Sequence, residues 1–182
     1  MQFTRISNTL DPLFDECWDI YQSSFPLNER RALDEQHKIM NNDNFICLAI
    51  KESNNSIIGI LWYWKFKTCI YGEHLAFRKD IQGKGFGKLA LDYLKEQATK
   101  NNLAIILEIE IPNQNDKNTI RRENFYLRED IKPTSHKHSQ PPYHKQDPAT
   151  PMKIMSWPHP ITSNEYQAFY EQQVQIMPKF NI

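Results

Sequence analysis

Three of the five glycines in this chain, Gly83, Gly85 and Gly87, lie within five consecutive positions. A chain of 182 residues that uses so few glycines and then clusters them needs bare backbone at one place. The cluster joins a predicted strand to a predicted helix, whose first N–H groups lack partners and carry partial positive charge. Lys84 and Lys88 add positive charge. The segment predicts a cradle for phosphate or pyrophosphate, with a ligand-free glycine turn as the alternative.

The spelling of this segment excludes two familiar phosphate loops. A Walker A loop has Ser or Thr directly after its lysine, whereas Leu89 follows Lys88, and Gln82 stands where its first glycine belongs. A dinucleotide-binding GxGxxG fails because Lys88, not glycine, stands three residues after Gly85. Arg78, at the end of the preceding strand, adds a further cation beside the loop.

Glutamates on predicted strands are the candidates for acid–base chemistry. Alternation along the strand at 69–77 places Glu73 on the face opposite His74. Glu108 and Glu110 share one face of a later, otherwise apolar strand. Buried glutamates are costly unless they have partners or a task, and a carboxylate can take the proton of an attacking amine. For Glu108 and Glu110 the alternative is a salt-bridged or exposed pair.

Hydrophobic periodicity predicts the elements that position these residues. Two short turns between three successive strands indicate an antiparallel meander. Residues 162–165 have the spacing of a capping box, which opens a closing helix. The predicted order is a strand at 3–6, helices at 10–24 and 30–40, strands at 44–50, 57–66 and 69–77, a helix at 86–97, a strand at 103–111, a helix at 119–128, a strand at 152–157 and a helix at 162–176.

Composition excludes several classes of function. Lysine plus arginine equals aspartate plus glutamate at 22 each, so no overall basic field favours nucleic acid. The chain has no apolar run long enough for a membrane span, which predicts no membrane partner. Its three cysteines have no metal-ligand spacing. They predict a reduced, cytoplasmic protein without a structural metal.

The segment 131–150 is predicted to be an irregular excursion on the substrate side. It is rich in proline and contains three histidines, at positions 136, 138 and 144. No acid or cysteine accompanies these histidines at ligand spacing, so we expect a solvated loop rather than a metal site.

The spelling Gln-x-x-Gly-x-Gly, from Gln82 to Gly87 after a strand ending at Phe77, resembles the signature of the GCN5-related N-acetyltransferases (GNAT). The order of predicted elements matches that family over about residues 2–157. The resemblance implies an α/β fold with a mixed, mostly antiparallel central sheet flanked by helices. We expect one domain over 1–182, with 162–176 as an extra C-terminal helix.

The resemblance also implies acetyl-CoA as cosubstrate, with no metal. In this family, backbone amides of the strand before the loop hold the pantetheine arm, and amides of the loop hold the pyrophosphate. The strand positions are Leu75, Ala76 and Phe77, and the loop positions are Gln82, Gly83, Lys84, Gly85, Phe86, Gly87 and Lys88.

The catalytic residues carried over from the family are Tyr126 and Glu73, and Glu110 joins them because of its place on an apolar strand. The run from Arg121 to Tyr126 resembles the RRxxFY motif, whose tyrosine would protonate the departing thiolate; a half-buried structural tyrosine is the alternative. Glu73 matches a position where relatives carry a Glu-His pair and is the first choice for general base, with Glu110 second. Several glutamates lining one cleft would favour a cationic acceptor.

Two features distinguish this chain from the family pattern. The family continues Asn-Gly-Phe after its tyrosine motif, whereas this chain has Glu129-Asp130-Ile131, which predicts a differently shaped turn. The stretch Gln140-Pro141-Pro142-Tyr143 resembles one found in an uncharacterised bacterial subgroup.

The resemblance implies an acetyl-CoA-dependent N-acetyltransferase acting on a primary amine of a small molecule or peptide. We expect a monomer or homodimer. Two alternatives stay open: a non-catalytic acyl-CoA-binding or sensing module on the same fold, and a nucleotide-binding regulatory domain.

Overall fold

A computed structural model describes residues 1–177 of the chain. It contains seven strands and five α-helices in these residues, as well as two short 3-10 turns. The elements are β1 (Gln2–Arg5), α1 (Phe14–Ser24), α2 (Leu33–Met40), β2 (Phe45–Lys51), β3 (Ile57–Lys65), β4 (Cys69–Phe77), α3 (Phe86–Asn101), β5 (Ala104–Glu110), α4 (Lys117–Arg128), β6 (Lys132–Gln140), β7 (Thr150–Trp157) and α5 (Ser163–Ile176).

The strands form a mostly antiparallel sheet in the order β1-β2-β3-β4-β5-β7-β6. Antiparallel ladders join β1 to β2, β2 to β3, β5 to β7 and β6 to β7. This confirms the predicted α/β fold with its mixed central sheet and C-terminal helix. No helix among residues 1–177 combines the length and apolar character that a membrane crossing needs.

Contacts divide the chain into two units. The first unit comprises Met1–Lys65 and Gly72–Ala90, and the second comprises Phe66–Tyr71 and the residues from Leu91 onward. The prediction of a single domain over 1–182 extends beyond the described residues and stays a prediction.

Aromatic packing builds the core of the first unit. Trp62 of β3 is fully buried, and its ring lies 4.7 Å from that of Tyr21 and 6.5 Å from that of Trp18. These two α1 residues belong to the apolar stripe that predicts the helix. The ring centres of Phe45 on β2 and Trp64 on β3 lie 4.8 Å apart, which extends the aromatic core from one strand to the next. The burial of these large rings fixes α1 against β3.

The prediction of an irregular segment is wrong for residues 132–140, which form β6 at one edge of the sheet. Its sequence, Lys-Pro-Thr-Ser-His-Lys-His-Ser-Gln, has no apolar alternation. Backbone pairing with β7 determines the strand, and an edge position accommodates both Pro133 and the shift in register between Pro133 and Lys137. Tertiary pairing overrides local propensity here.

The turn after α4 keeps a left-handed residue although glycine is absent. Asp130 has φ +56°, its N–H donates to the carbonyl of Leu127 at 3.1 Å, and the N–H of Ile131 donates to that of Tyr126 at 3.0 Å. These bonds form a Schellman motif, which usually has glycine at this position. The predicted difference in turn shape is therefore wrong, because aspartate tolerates the left-handed region better than most residues.

Replacing Asp130 with glycine is expected to raise the free energy of unfolding by about 0.5–1 kcal/mol, because glycine adopts positive φ without a Cβ clash. Asp130→Ala keeps the Cβ but loses the short polar side chain that eases this conformation, so it is expected to lower stability. Urea unfolding followed by circular dichroism measures both changes. A glycine variant no more stable than the alanine variant would contradict the assignment of strain to this residue.

Candidate functional site

The glycine loop of the first unit presents bare backbone to open space. Gly83 and Gly85 have φ of +82° and +84°, where an L side chain is strained. A Cβ built at either position meets no atom within 4 Å, so the space above the loop is free. The loop leads directly into α3 at Phe86, and the first turn of α3 has no acidic residue. This place suits an anion, because it offers backbone dipoles and free space and has no carboxylate in the first turn of the helix.

The strand before the loop is held at close range to β3. A Cβ at Gly59 would lie 2.6 Å from the Ala76 carbonyl oxygen and 2.6 Å from the Phe77 ring, so only glycine fits there. Phe77 stacks on Phe86 at 6.3 Å, and the Gln82 side-chain amide donates to the Phe77 carbonyl at 3.3 Å. Sequence reasoning missed Gly59; its signal was a glycine inside a long apolar strand.

Arg78 does not supply the free positive charge that the sequence analysis expected beside the loop. Its guanidinium donates to both carboxylate oxygens of Asp80, at 3.0 and 2.6 Å, and to the Ile57 carbonyl at 3.3 Å. Hydrogen bonds from Arg78 lower the pKa of Asp80. Lys84, between Gly83 and Gly85, is exposed on the loop.

Glu73 is buried in the first unit with a full set of partners. Its Oε1 accepts a hydrogen bond from Nη2 of Arg31 at 2.6 Å, and its Oε2 accepts one from the Trp64 indole at 3.0 Å. The side chains of Glu73 and Arg31 are both 0% exposed. Burial alone would raise the pKa of Glu73, but the Arg31 guanidinium with its hydrogen bond, and the neighbouring His74, hold it well below the usual range. A general base works best with a pKa near the working pH, so this environment disfavours Glu73 as proton acceptor.

Glu110 and Tyr126 both lie in the second unit, next to Arg122. Arg122 of α4 donates a hydrogen bond to the Glu110 carboxylate, and these side chains are 46% and 37% exposed. Tyr126 follows Arg122 by one helical turn and is half-buried. Burial raises the pKa of Tyr126, and the neighbouring Arg122 charge lowers it by less. Glu110 thus has the solvent access that Glu73 lacks. The catalytic roles of all three stay predictions.

A second buried carboxylate is Glu108 of β5, which the sequence offers together with Glu110 either as an acid–base candidate or as a salt-bridged pair. Its Oε1 accepts from His138 and from the Gln173 amide, the latter at 2.8 Å. Its Oε2 accepts from the Tyr71 hydroxyl and from the Gln140 amide, the latter at 2.8 Å. The donors come from β4, β6 and α5, and the Glu108 side chain is 3% exposed. A buried carboxylate with both oxygens saturated has a structural task.

The expectation that His138 lies in a solvated loop is wrong. Its side chain is 0% exposed and bonds Glu108 through Nε2. Its Nδ1 lies 3.1 Å from the oxygen of the Tyr166 hydroxyl, and the proton of that hydroxyl donates to the Lys137 carbonyl at 3.2 Å. His138 and Gln140 are two residues apart and therefore lie on the same face of β6. This spacing can be recognised only once the segment is known to be a strand.

Comparison with known proteins decides the family. A family model described as "Acetyltransferase (GNAT) family" matches residues 10–125. The chain belongs to the GNAT acetyltransferase family. The Bacillus subtilis protein YjbC, described as a candidate acetyltransferase, is 33% identical over 111 residues, 58% of this chain. The match spans 53% of YjbC, about half of its length.

Solved structures carry the same GNAT fold. A Bacteroides thetaiotaomicron protein described as a candidate GNAT acetyltransferase has a TM-score of 0.83 and 26% identity, with 100% of each chain covered. An aminoglycoside 6'-N-acetyltransferase in complex with coenzyme A has a TM-score of 0.62 and 15% identity, over 88% of this chain and 100% of that one. A Vibrio cholerae spermidine N-acetyltransferase variant has a TM-score of 0.63 and 12% identity, over 86% of this chain and 94% of that one. At such identities the last two show the fold alone.

The Glu108 network predicts a large loss of stability when one donor is removed. Gln173→Met, at a fully buried position, is expected to lower the free energy of unfolding by about 1.5–3 kcal/mol, the usual contribution of a hydrogen bond to a charged group. Gln167→Met on the exposed side of α5 is the matched control and is expected to change it by about 0.5 kcal/mol or less. Equal losses in urea unfolding would show that the network contributes nothing specific.

Proposed function

We propose that this GNAT chain is an acetyl-CoA-dependent N-acetyltransferase that transfers the acetyl group to a primary amine. The observation that carries the proposal is the loop at Gly83 and Gly85. Its two glycines adopt positive φ, and the space above them is free. Such a loop, at the start of a helix, suits the pyrophosphate of coenzyme A. The fit of backbone and free space supports this assignment.

The residues proposed to hold acetyl-CoA do so through their backbone. Amides of Leu75, Ala76 and Phe77 would pair with the pantetheine arm as an added strand, as the family resemblance implies. Gly59 supports this role, because it lets β3 approach the Ala76 carbonyl without a side chain. Gln82 would fix the loop through its bond to the Phe77 carbonyl. The loop amides from Gly83 to Lys88 would bind the pyrophosphate.

We assign the proton transfers to Tyr126 and Glu110. The amine nitrogen attacks the acetyl carbonyl carbon, the carbon–sulfur bond breaks, and coenzyme A leaves as a thiolate. Tyr126 gives its proton to that sulfur, and its phenol, whose pKa is raised by burial, carries that proton at neutral pH. Glu110 takes the amine proton, directly or through water. Glu73 stays ionised and acts by position and charge rather than as the base.

The acceptor is proposed from chemistry alone. Solved neighbours are described as acting on an aminoglycoside and on spermidine, so amines of these classes belong in a first panel with amino acids and peptide N-termini. Glu108 does not support recognition of a cationic acceptor, because both of its oxygens are already bonded. We also propose a monomer or homodimer and a cytoplasmic location, the latter supported by three buried, free cysteines.

Acetyl-CoA binding is expected in isothermal titration calorimetry, and Gly85→Ala is expected to weaken it by about 10-fold or more. The new methyl group strains the backbone at φ +84° and occupies the free space above the loop. Asn55→Ala is the matched control, because it strains another positive-φ position in the β2–β3 turn, remote in sequence from the loop. ATP titrated in parallel tests the nucleotide-binding alternative. Binding of ATP but not acetyl-CoA would refute the proposal.

Tyr126→Phe is expected to lower kcat by about 10²-fold while the KM for acetyl-CoA changes little, because the phenol acts on the leaving sulfur and not in binding. Because the pKa of Tyr126 is raised, the alkaline limb of kcat in the unmodified enzyme should lie above the usual range of tyrosine. Release of coenzyme A, followed with a thiol reagent across the amine panel, measures both quantities.

Tyr93→Phe, on a half-buried tyrosine of α3, is the matched control for the loss of a hydroxyl. Unchanged turnover in Tyr126→Phe, Glu110→Gln and Glu73→Gln would overturn the assigned roles. Acetyl-CoA binding without turnover of any amine would favour the non-catalytic acyl-CoA-binding module.

A further inference from the structure

The segment between α1 and α2, residues 25–32, is attached to two consecutive residues of β4. The Phe25 ring contacts the His74 ring edge-on at 4.7 Å. Nε2 of His74 lies 3.3 Å from the Glu29 carbonyl oxygen. Arg31 reaches Glu73 at 2.6 Å. Three separate contacts therefore hold this α1–α2 connection to the strand that leads into Leu75–Phe77.

Arg31 contacts Tyr21 and Trp64 as well as Glu73. Its backbone N–H donates to the Tyr21 hydroxyl at 2.8 Å, and its guanidinium carbon lies 6.0 Å from the Trp64 ring. Trp64 in turn donates to Oε2 of Glu73, so Arg31, Glu73 and Trp64 form a closed triangle of contacts. Because the Arg31 and Glu73 side chains are both fully buried, each charge depends on the other.

Arginine suits this place better than lysine. Its planar fork can donate to a carboxylate while its face lies against an aromatic ring, and it keeps its charge when buried. A buried carboxylate without a cation has its pKa raised by desolvation and becomes neutral nearer to the working pH. Arg31 is therefore the main cause that keeps Glu73 ionised, and it holds Oε1 in place while Trp64 holds Oε2.

We propose that Arg31 is a positioning residue for acetyl transfer. It acts through Glu73, fixing that carboxylate and the α1–α2 connection beside the backbone of Leu75–Phe77. The inference rests on the proposed function only for its effect on turnover. Its structural part, that Arg31 keeps Glu73 in place and ionised, is measured without acetyl-CoA.

The first test reads Glu73 through the Trp64 indole N–H in ¹H–¹⁵N spectra. In the unmodified protein this signal should not follow the protonation of Glu73 between about pH 5 and pH 8, because Glu73 stays ionised there. In Arg31→Gln it should shift as Glu73 takes up a proton. Tyr21, Arg30 and His74 also adjoin the site, so Arg31→Gln/Glu73→Gln is the reference that separates the response of Glu73 from that of its surroundings. If the Trp64 indole signal of Arg31→Gln has the same pH dependence as that of Arg31→Gln/Glu73→Gln, the proposal is overturned.

The second test separates kcat from KM with acetyl-CoA and the best amine of the panel, or basal acetyl-CoA hydrolysis if none reacts. Arg31→Gln is expected to lower kcat by about 10²-fold, with the KM for acetyl-CoA within about 2-fold. Arg31→Lys keeps the positive charge but not the planar guanidinium. Its kcat should lie between that of the unmodified protein and that of Arg31→Gln. If Arg31→Gln fails to fold, the neutral pair Arg31→Gln/Glu73→Gln carries the test, and an unreduced kcat in it overturns the proposal.

Arg30→Gln, at the neighbouring residue whose guanidinium donates to the Gln22 carbonyl at 2.9 Å, is the matched control and should keep kcat. A similar loss in this control would show general damage to the α1–α2 connection and would overturn a specific role for Arg31. If the unmodified protein neither binds nor hydrolyses acetyl-CoA, the proposed function fails by itself. The indole titration then still decides whether Arg31 fixes Glu73.

Discussion

Each unit of this protein is organised around one carboxylate that has been taken out of water. A buried carboxylate is strongly unfavourable unless its charge is matched and its lone pairs are bonded, so the surrounding elements must meet at fixed places. Glu73 is matched by the arginine that precedes α2, together with an indole from β3. Glu108 is matched by a histidine, two amides and a phenol from three different elements. These requirements constrain the α1–α2 connection in one unit and α5 in the other.

The different partners of Glu73 and Glu108 have different chemical consequences. A full cation next to Glu73 favours its ionised form strongly, which makes it a poor proton acceptor but a constant negative charge. At Glu108 the ligands are spread over β4, β6 and α5, so the carboxylate serves to join elements that are distant in sequence. Glu110 lies two residues after Glu108 on β5 and is partly exposed. Of the glutamates at 73, 108 and 110, it is the one that can exchange protons with solvent directly.

Local patterns in the sequence predict most of the fold. The apolar stripes of α1 and α3, the capping box at Thr162 and the glycine cluster each report a short-range constraint that three or four neighbouring residues satisfy. β6 could not be predicted because its ladder is provided by β7, and nothing in its own polar residues requires a strand. The partners of Glu73 and Glu108 were missed for the same reason. Arg31 lies 42 positions before Glu73, and Gln173 lies 65 positions after Glu108.

The polar edge strand β6 has a consequence for how copies of this protein can meet. An open sheet edge normally offers a row of free N–H and C=O groups to a neighbouring strand. Here Pro133 lacks one donor, the register shifts between Pro133 and Lys137, and lysines occur within the strand. The opposite edge, β1, is only four residues long. Continuous sheet-to-sheet growth between molecules is therefore disfavoured at both edges of the sheet.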